Sequence, residues 1–386
     1  MHVLLVCHHA LPHVGGLEVA VDREICGLVS QGHRVTLVTS DLLGNAQTPN
    51  YPAAVTVCRV PAWHFLERRF HLPYPIFSPR LLSVLNRAAR ECDLIHVHGF
   101  MFMNSALAVL IGKLHSKPVI LTDHGGIQQF ASPVTTLLAR LGAETVGRMS
   151  ACLADRLVTY NQRIYELLEH LARTKRKSLF LPNPMDRTLF RRPRADERQA
   201  ARRELGWTTD KPRVLFAGRL IQEKGVPILV EAADPRFELV FCGPGDTALL
   251  GPLPRAGIEY LPPRPQAELV KVYHAADVLV LPCGVREGFP LVVQEALACG
   301  LNVVLAYEPG FAPYKGTPGL YFCERTPTGV REAIFQALER PYSTLDAQAA
   351  AAGLDRICPS LEVWAQRLLA GIPITPPRNG TARATS

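Results

Sequence analysis

The sequence has no apolar segment long enough to cross a membrane. A transmembrane helix needs about 20 consecutive apolar residues, whereas the longest apolar stretch, Met101 to Gly112, is shorter and carries Asn104. That stretch therefore predicts a buried helix. Met1 to Val6 has the pattern of a first strand and not of a signal peptide. We expect a cytoplasmic protein.

Paired cysteines are missing as well. The ten cysteines are scattered, and no two of them form a C-x-x-C pair. This usage indicates free, buried thiols in a reducing compartment and gives no support for disulfides or a zinc site.

A complete G-x-G-x-x-G motif is also absent. Only Gly15 and Gly16 precede the predicted helix Leu17 to Ser30, which argues against a nicotinamide dinucleotide site.

Acidic residues are fewer than basic ones, and the formal net charge is +8. A basic chain suggests nucleic acid, but the basic clusters contain no interleaved aromatic residues and no recognisable nucleic-acid-binding module. We therefore predict no nucleic-acid partner. The clusters are Arg68 to Arg69, Arg173 to Lys177 and Arg191 to Arg194.

Aromatic residues lie beside one of these clusters. Trp63, Phe65, Phe70 and Tyr74 surround the Arg68 to Arg69 pair. Basic and aromatic side chains together suit peripheral contact with an anionic membrane, where a lipid-linked acceptor is held. A solvated basic face explains the same pattern equally well.

Short apolar strands alternate with helical segments in two successive blocks. This pattern is typical of an α/β protein with doubly wound parallel sheets, and 386 residues with 48% hydrophobic content suffice for two cores. The strands of the first block are Val3 to Cys7, Val35 to Thr39, Leu94 to Val97, Val119 to Thr122 and Leu157 to Thr159. Those of the second block are Val214 to Ala217, Phe237 to Cys242, Val278 to Leu281 and Val303 to Ala306.

One segment is predicted to link these two blocks, and another follows the second block. Pro182 to Arg198 is rich in proline and charge and is predicted to be the linker between two domains. Ser360 to Leu369 is predicted to be a last amphipathic helix, and Pro373 to Ser386 has the composition of a disordered tail. An active site is expected in the cleft between the two domains, at the carboxyl edges of both sheets.

Two glutamates flank a predicted helix start in the stretch E-G-F-P-L-V-V-Q-E, from Glu287 to Glu295. An apolar strand precedes it, and Pro290 suits the first position of a helix that continues through Leu291 to Cys299. Free amides in the first turn of a helix bind diphosphates, and carboxylates accept hydrogen bonds from sugar and ribose hydroxyls. The stretch therefore predicts a sugar-nucleotide site.

A second segment supplies positive charge. An apolar strand from Val214 runs into a glycine turn with the cations Arg219 and Lys224 between Gly218 and Gly225. Positioned cations neutralise a departing phosphoryl group without redox or proton chemistry. A solvated pair of cations at a helix start is the alternative, which the flanking glycines make less favourable.

Histidines mark the ends of two strands in the first block. His124 follows Asp123 at a strand end and precedes two glycines, a position where side chains reach a crevice. There it can donate a hydrogen bond to a sugar or phosphate, with Asp123 orienting it. His96 is predicted to be a packed histidine, whereas His98 and Asp123 are candidates for acceptor binding.

The order of these motifs resembles the family-4 glycosyltransferases of the GT-B type, over about residues 1 to 340. The matching segments are Pro12 to Glu18, His96 to Gly99, Thr122 to Gly125, Pro182 to Asp186, Gly218 to Gly225 and the E-x7-E stretch from Glu287 to Glu295. The resemblance implies two Rossmann-like doubly wound domains that face each other across a cleft. It also implies a retaining enzyme that needs no metal or other cofactor.

The resemblance further implies roles for individual residues. The catalytic candidates are His124, Arg219, Lys224 and Glu287, where Glu287 holds the donor sugar and Glu295 the ribose. Donor contacts are implied at Gly15, Gly16, Gly218, Arg219, Lys224, Glu287, Gly288, Phe289, Pro290, Leu291, Val292 and Glu295. The segment Leu261 to Pro265 departs from the family pattern, and Arg264 is its candidate base contact.

These expectations combine into one functional hypothesis. The chain is predicted to transfer a sugar, as a hexosyltransferase, from a nucleoside diphosphate sugar to a hydroxyl of a glycan or lipid-linked acceptor, in surface polysaccharide or glycolipid biosynthesis. A non-catalytic sugar-nucleotide-binding partner and a sugar-nucleotide epimerase or hydrolase are the alternatives. The predicted domains are 1–185 for the acceptor, 186–345 for the donor, and helices in 346–371, the last of which packs back on the first domain. Residues 372–386 form the tail.

Overall fold

The computed structural model describes residues 1–13, 15–42, 49–70, 74–127, 133–174, 178–253, 256–284, 288–342 and 346–372. The chain forms two compact units. The first contains Met1–Leu181 and the chain from Leu361 onward, and the second contains Pro182–Ser360. Among the described residues, no helix combines the length and apolar character that a membrane crossing requires.

A parallel sheet of seven strands forms the centre of the first unit, in the order β3-β2-β1-β6-β7-β8-β9. Its strands are β1 (His2–Val6), β2 (Arg34–Ser40), β3 (Val55–Val60), β6 (Leu94–His98), β7 (Val119–Thr122), β8 (Arg156–Thr159) and β9 (Ser178–Phe180). A short antiparallel pair, β4 (Ala62–Trp63) and β5 (Ile76–Phe77), stands apart from it.

Both faces of this sheet are covered. Leu4 and Val6 of β1 belong to one core cluster, whereas Val3 and Leu5 belong to another, as the alternation of side chains along a strand requires. All five residues of β1 are buried, which is typical of a parallel sheet between two helical layers. Burial on both faces explains why these strands consist mostly of apolar residues.

The helices of the first unit are α1 (Gly16–Ser30), α2 (Phe65–Phe70), α3 (Arg80–Glu91), α4 (Met103–Leu114), α5 (Pro133–Gly142), α6 (Arg148–Leu153) and α7 (Gln162–Ala172). A π-helical turn, Ala143–Gly147, connects α5 to α6. Asn161 caps α7, since its side-chain oxygen accepts hydrogen bonds from the amides of Arg163 and Ile164.

A parallel sheet of six strands forms the second unit, in the order β12-β11-β10-β13-β14-β15. Its strands are β10 (Arg213–Ala217), β11 (Glu238–Cys242), β12 (Ile258–Leu261), β13 (Val278–Leu281), β14 (Asn302–Ala306) and β15 (Leu320–Cys323). Its helices are α8 (Ala195–Glu204), α9 (Val226–Glu231), α10 (Gln266–Ala275), α11 (Leu291–Ala298), α12 (Pro327–Glu339) and α13 (Ala347–Ile357). Three 3₁₀ turns are Gln222–Lys224, Thr247–Leu250 and Pro309–Tyr314.

The last helix, α14 (Leu361–Leu369), belongs to the first unit. Trp364 and Leu368 on α14 are buried in the same core cluster as Ile25 of α1. Arg156 of β8 donates hydrogen bonds to the carbonyl oxygens of Leu368 and Ala370, which satisfies the carboxyl end of this helix.

Strand order places a crevice in each unit. In both sheets the chain first adds strands on one side and then returns to continue on the other, so that the direction reverses between β1 and β6 and again between β10 and β13. Ligands of doubly wound folds bind at the carboxyl ends of the strands at such a reversal. The prediction of two α/β doubly wound halves is confirmed.

Some sequence predictions differ from the structure in detail. Pro290 is the N-cap residue of α11 and not its first helical residue, because its ψ of 129° is extended. Helix α8 begins at Ala195, inside the segment predicted as linker, where the Glu197 side chain accepts a hydrogen bond from the Arg194 amide. Residues 373–386, the predicted tail, lie outside the described residues.

Candidate functional site

The loops after β10 and β13 contact each other at the reversal point of the second sheet. The Gly284 amide donates a hydrogen bond of 2.8 Å to the carbonyl oxygen of Glu223. Gly225 has a left-handed φ of 78°, and a side-chain carbon there would overlap the carbonyl oxygen of Pro282. The glycine is therefore required by this approach, which holds the two loops together.

The predicted cations follow β10 directly. Arg219 comes after Gly218 and is exposed, and no described residue forms an ion pair with it. Lys224 ends the 3₁₀ turn Gln222–Lys224 and is half-buried. Both cations therefore belong to the loop whose Glu223 carbonyl accepts the Gly284 amide, which joins them to the segment after β13.

The segment that leads into α11 is buried and fixed by aromatic packing. Gly288, Phe289 and Pro290 are all buried. The Phe289 ring centroid lies 4.0 Å from that of Tyr314 and 5.4 Å from that of Phe311. Leu291 and Val292 then open α11 and are half-buried. Amides in the first turn of a helix lack partners within the helix, so this end of α11 can bind an anion.

Glu295 lies one turn further along α11 and is 3% exposed. Its Oε2 accepts a hydrogen bond of 2.8 Å from the Tyr273 hydroxyl of α10. Burial and the neighbouring carboxylate raise the pKa of Tyr273 far above its usual range, so that its hydroxyl keeps its proton and donates. The carboxylate is thus oriented before any ligand binds. Glu287, the other glutamate of the motif, lies outside the described residues.

Arg264 is the predicted contact for the nucleotide base. It follows β12, which is separated from β10 by β11 in the sheet. Its guanidinium lies 3.5 Å from the Glu268 carboxylate, one turn along the chain.

In the first unit, four side chains form a continuous polar chain beside the reversal point. Glu24 Oε2 lies 3.1 Å from His98 Nε2, His98 Nδ1 lies 2.9 Å from His124 Nε2, and His124 Nδ1 lies 2.7 Å from the Tyr160 hydroxyl. Glu24 is on α1, His98 ends β6, and His124 and Tyr160 follow β7 and β8. Neighbouring parallel strands bring these residues to one edge.

Glu24 lies at one end of this chain within ion-pair distance of His98, although neither Glu24 Oε2 nor His98 Nε2 has a hydrogen-bond partner among the described residues. The hydrogen bonds of the chain are those that His124 forms with His98 and Tyr160. Burial lowers the pKa of His124 well below its usual range, and the nearby His98 adds to this effect, so His124 is neutral. Both ring nitrogens of His124 are therefore held by protein side chains.

This arrangement corrects one expectation. The sequence predicts that Asp123 orients His124, but His98 and Tyr160 do so. Asp123 Oδ2 instead accepts a hydrogen bond of 2.6 Å from the Gly126 amide and so fixes the turn after β7. Burial raises the pKa of Asp123, although backbone amides that donate to it act in the opposite direction. The His98 side chain has no exposed surface, so it acts on His124 and not at the surface.

The two glycines of the first loop lie at the start of α1. Gly15 is the N-cap residue, and a side-chain carbon there would lie 2.5 Å from a carboxylate oxygen of Glu18. Gly16 is the first helical residue and has open space around the position of its missing side chain. The backbone at Gly16 is therefore accessible to a ligand.

Three functional residues escaped sequence reasoning. Glu24 gave a usable signal, since it is a charged residue among the buried positions Val21, Ile25 and Leu28 of α1. Tyr160 and Tyr273 gave none, because an isolated tyrosine carries no spacing that relates it to His124 or Glu295.

Two family profiles match the chain in succession. The first, described as glycosyltransferase family 4, matches residues 14–189, and the second, described as glycosyl transferases group 1, matches residues 197–351. The chain belongs to the family-4 glycosyltransferases. The predicted enzyme class and GT-B fold are thereby confirmed.

Named relatives agree with this glycosyltransferase assignment. D-inositol 3-phosphate glycosyltransferase of Nocardia farcinica is 28% identical over 361 residues, which cover 86% of this chain and 75% of that protein. GDP-mannose:cellobiosyl-diphosphopolyprenol α-mannosyltransferase of Xanthomonas oryzae is 24% identical over 81% of this chain and 80% of that protein. This glycosyltransferase uses a nucleotide sugar.

A solved structure shows the same fold. HepE of Anabaena, in complex with UDP, aligns with a TM-score of 0.72 at 16% identity and covers 95% of this chain and 98% of its own. The glycosyltransferase therefore has the GT-B architecture of two Rossmann-like halves.

Proposed function

We propose that this glycosyltransferase moves a hexose, with retention of anomeric configuration, from a nucleoside diphosphate sugar to a hydroxyl of a glycan or lipid-linked acceptor. The contact between the β10 and β13 loops carries the proposal. Through Gly284 and Glu223 it joins the segment bearing Arg219 and Lys224 to the segment that leads into α11. A diphosphate bound there contacts the cations Arg219 and Lys224 and the first amides of α11 at the same time.

Departure of the nucleoside diphosphate is the step that these groups assist. Negative charge develops on the leaving diphosphate as the sugar–oxygen bond breaks, and Arg219, Lys224 and the first amides of α11 stabilise it. The acceptor hydroxyl attacks from the same face, while the sugar passes through an oxocarbenium-like state. Glu295, oriented by Tyr273, binds the ribose diol, and Glu287 binds sugar hydroxyls.

Acceptor binding is assigned to the first unit. His124, which is neutral and fixed by His98 and Tyr160, is the candidate there for contact with a bound sugar. Gly16 has open space beside its backbone, so a ligand of this unit can approach it. No metal or other cofactor is part of this proposal for the transfer step.

The donor and the stereochemistry are tested together. Thermal melting is measured with the diphosphates of uridine, guanosine, adenosine and thymidine and with their sugar conjugates, because a ligand that binds the folded state raises its melting temperature. One base is expected to give the largest shift. Transfer from that donor is then assayed with D-inositol 3-phosphate and with polyprenyl diphosphate-linked sugars, the acceptor types named for the relatives.

The anomeric configuration of the product distinguishes retention from inversion. An α-linked donor that gives an α-linked product, read from the anomeric coupling in proton NMR, supports retention, whereas a β-linked product overturns it. Absence of a shift with every nucleotide would overturn the assignment of the donor site.

We further propose that the protein works at the cytoplasmic face of an anionic membrane and supplies surface polysaccharide or glycolipid. Trp63 and Phe65 are 75% and 61% exposed, and aromatic side chains with nearby cations suit a membrane interface. Co-sedimentation with phosphatidylglycerol vesicles is expected to decrease in Trp63→Ala but not in Leu253→Ala, an exposed apolar residue of the second unit. Failure of the unmodified protein to sediment with these vesicles would contradict the proposal.

A further inference from the structure

Three potential metal ligands converge at the carboxyl edge of the first sheet. His9 follows β1, and His64 and Glu67 lie just before and within α2. Glu67 Oε2 is 3.1 Å from His9 Nε2 and 3.7 Å from His64 Nδ1. One atom from each of the three side chains lies within 4.8 Å of the other two. A single small cation can therefore contact all of them.

His64 has an unsatisfied ring. Its side chain is 5% exposed, yet neither ring nitrogen has a hydrogen-bond partner among the residues that the structure describes. Buried polar atoms in folded proteins are paired in the large majority of cases, because leaving one unpaired costs about 1–3 kcal/mol. An ordinary ion pair between His9 and Glu67 explains those two residues but leaves His64 unexplained. A ligand that binds Nδ1 of His64 accounts for all three.

Oxygen atoms at the end of β2 lie beside both imidazoles. Ser40 Oγ lies 2.9 Å from His9 Nδ1 on the side away from Glu67, and the Asp41 carboxylate lies 3.8 Å from His64 Nε2. Histidine ligands of metals usually have an outer oxygen partner, which fixes the tautomer and the ring orientation. Ser40 is such a partner for His9, whereas the Asp41 carboxylate lies beyond hydrogen-bond distance of His64.

We propose that His9 Nε2, His64 Nδ1 and Glu67 Oε2 form a binding site for a divalent transition metal of the zinc type. Bonds of about 2.0–2.2 Å from zinc to nitrogen or oxygen, in tetrahedral geometry, separate ligand atoms by roughly 3.3–3.6 Å. The two distances from Glu67 bracket that separation. Two imidazoles with one carboxylate are a known zinc ligand set that leaves a fourth position open.

The ligand chemistry selects among cations. Imidazole nitrogen suits zinc and its transition-metal neighbours, whereas magnesium and calcium require oxygen ligands. Two imidazoles and one carboxylate therefore favour zinc over magnesium or calcium at this site.

A second group of histidines and a carboxylate does not fit as well. Glu24, His96 and His98 also lie close together, but each is at most 1% exposed. An ion has no entry path there, and His98 already contributes to the orientation of His124. Glu67, in contrast, has a side chain that is 25% exposed, so an ion can reach the site from solvent.

A metal at this position joins α2 and the residue before it to the segment after β1. Glu67 is the ligand from α2, which has six residues, so the metal adds a fixed point to a short helix. The open coordination position accepts a water or another oxygen ligand. This inference is independent of the donor site and departs from the expectation that the chain binds no metal.

The test is zinc binding by the full-length protein after chelator treatment. Equilibrium dialysis against ZnSO4 with elemental analysis measures bound zinc in the unmodified protein and in His64→Gln, Glu67→Gln and His170→Gln. His170 is the matched control, because its exposed ring lies 3.5 Å from the Glu144 carboxylate in a similar pair. The exposed cysteines Cys26 and Cys152 are common to all four proteins, so only the difference between proteins is interpreted.

The proposal expects one zinc equivalent to be lost in both site variants and kept in His170→Gln. Cobalt added to the unmodified protein should give visible absorption of a tetrahedral site, absent from Glu67→Gln, and magnesium should not displace it. Zinc should raise the melting temperature of the unmodified protein more than that of Glu67→Gln, whose partly exposed position preserves the fold. Equal zinc content in all four proteins, or an equal loss in His170→Gln, would overturn the proposal.

Discussion

The Tyr273 hydroxyl donates a hydrogen bond of 2.8 Å to Glu295 Oε2 inside the second unit. Hydrogen bonds to charged groups contribute about 1.5–3 kcal/mol. Tyr273→Phe removes this donor and so weakens the orientation of the carboxylate, and we expect a loss of stability of about that size in urea unfolding. The KM for the nucleotide sugar should rise about tenfold, and kcat should fall less. Tyr321→Phe, a half-buried tyrosine of the same unit, is the control, and equal effects in both variants would contradict the assignment.

Lys224 is proposed to stabilise the charge that develops on the leaving diphosphate. Lys224→Ala should lower kcat by about 100-fold to 1,000-fold, the size found when one positioned donor is removed from a transition state. Circular dichroism and the melting temperature should stay near those of the unmodified protein, because Lys224 is half-buried at the end of a short turn. Lys271→Ala, which removes an exposed pair with Glu204, is the control. A normal turnover rate in Lys224→Ala would refute the role.

Gly225 allows the two loops of the second unit to meet. In Gly225→Ala, the left-handed backbone costs about 1–2 kcal/mol, and overlap with the Pro282 carbonyl adds to it. Gly206→Ala has the same kind of backbone, with φ 72°, but nothing near its side-chain position. We expect urea unfolding to show a larger loss in Gly225→Ala than in Gly206→Ala and nucleotide shifts to vanish only in Gly225→Ala. Equal losses of unfolding free energy in the two variants would contradict the requirement for glycine at position 225.

Glu24 is predicted to act at a distance through His98. Glu24→Gln replaces the carboxylate that lies 3.1 Å from His98 Nε2 with an amide that can donate as well as accept, so His98 is held less firmly against His124. We expect kcat to fall about tenfold with a changed pH profile, while nucleotide binding by the second unit is unchanged. Asp22→Asn is the control. It makes the same carboxyl-to-amide change on α1, at a carboxylate that accepts a hydrogen bond from the Tyr51 hydroxyl. An unchanged kcat in Glu24→Gln would remove Glu24 from the mechanism.

Buried neutral histidines predict a loss of stability in mild acid. Burial lowers the pKa of His8, His96 and His124 well below 6.5, so below pH 6.5 the unfolded chain binds protons that the folded protein does not. Stability should therefore be fully present above pH 6.5 and fall as pH decreases, by up to about 1.4 kcal/mol per pH unit for each group. His13, whose pKa is raised by its hydrogen bond to Glu18, opposes this in part. Urea unfolding at pH 7.5, 6.5 and 5.5 measures the change, and constant stability would contradict it.

Strands that are buried on both faces could be predicted from the sequence because they contain little but apolar residues. Val119 to Thr122 and Val278 to Leu281 have the predicted bounds. Strands β3 and β9 escaped, since their residues are mostly half-buried at the edges of the sheet and mix polar with apolar side chains. The local sequence pattern therefore predicts interior strands of a sheet better than edge strands.

The site was predictable where local motifs fix the backbone. Gly218, Gly225 and the start of α11 follow from glycine, proline and strand ends, and the structure places all three at the reversal point of one sheet. Contacts between distant elements were not predictable, because nothing in the sequence relates Tyr273 to Glu295 or His9 to His64. The prediction that Asp123 orients His124 was wrong for the same reason, since the partners of His124 come from β6 and the loop after β8.

Trp364 belongs to the core of the first unit, although the whole second unit precedes it in the chain. Domains fold as units while the ribosome adds residues from the amino end. The first unit therefore leaves the ribosome with part of the Ile25 and Leu28 surface of α1 uncovered, and it stays so until α14 has been synthesised. During translation this apolar surface of α1 is therefore exposed for as long as the second unit is being synthesised.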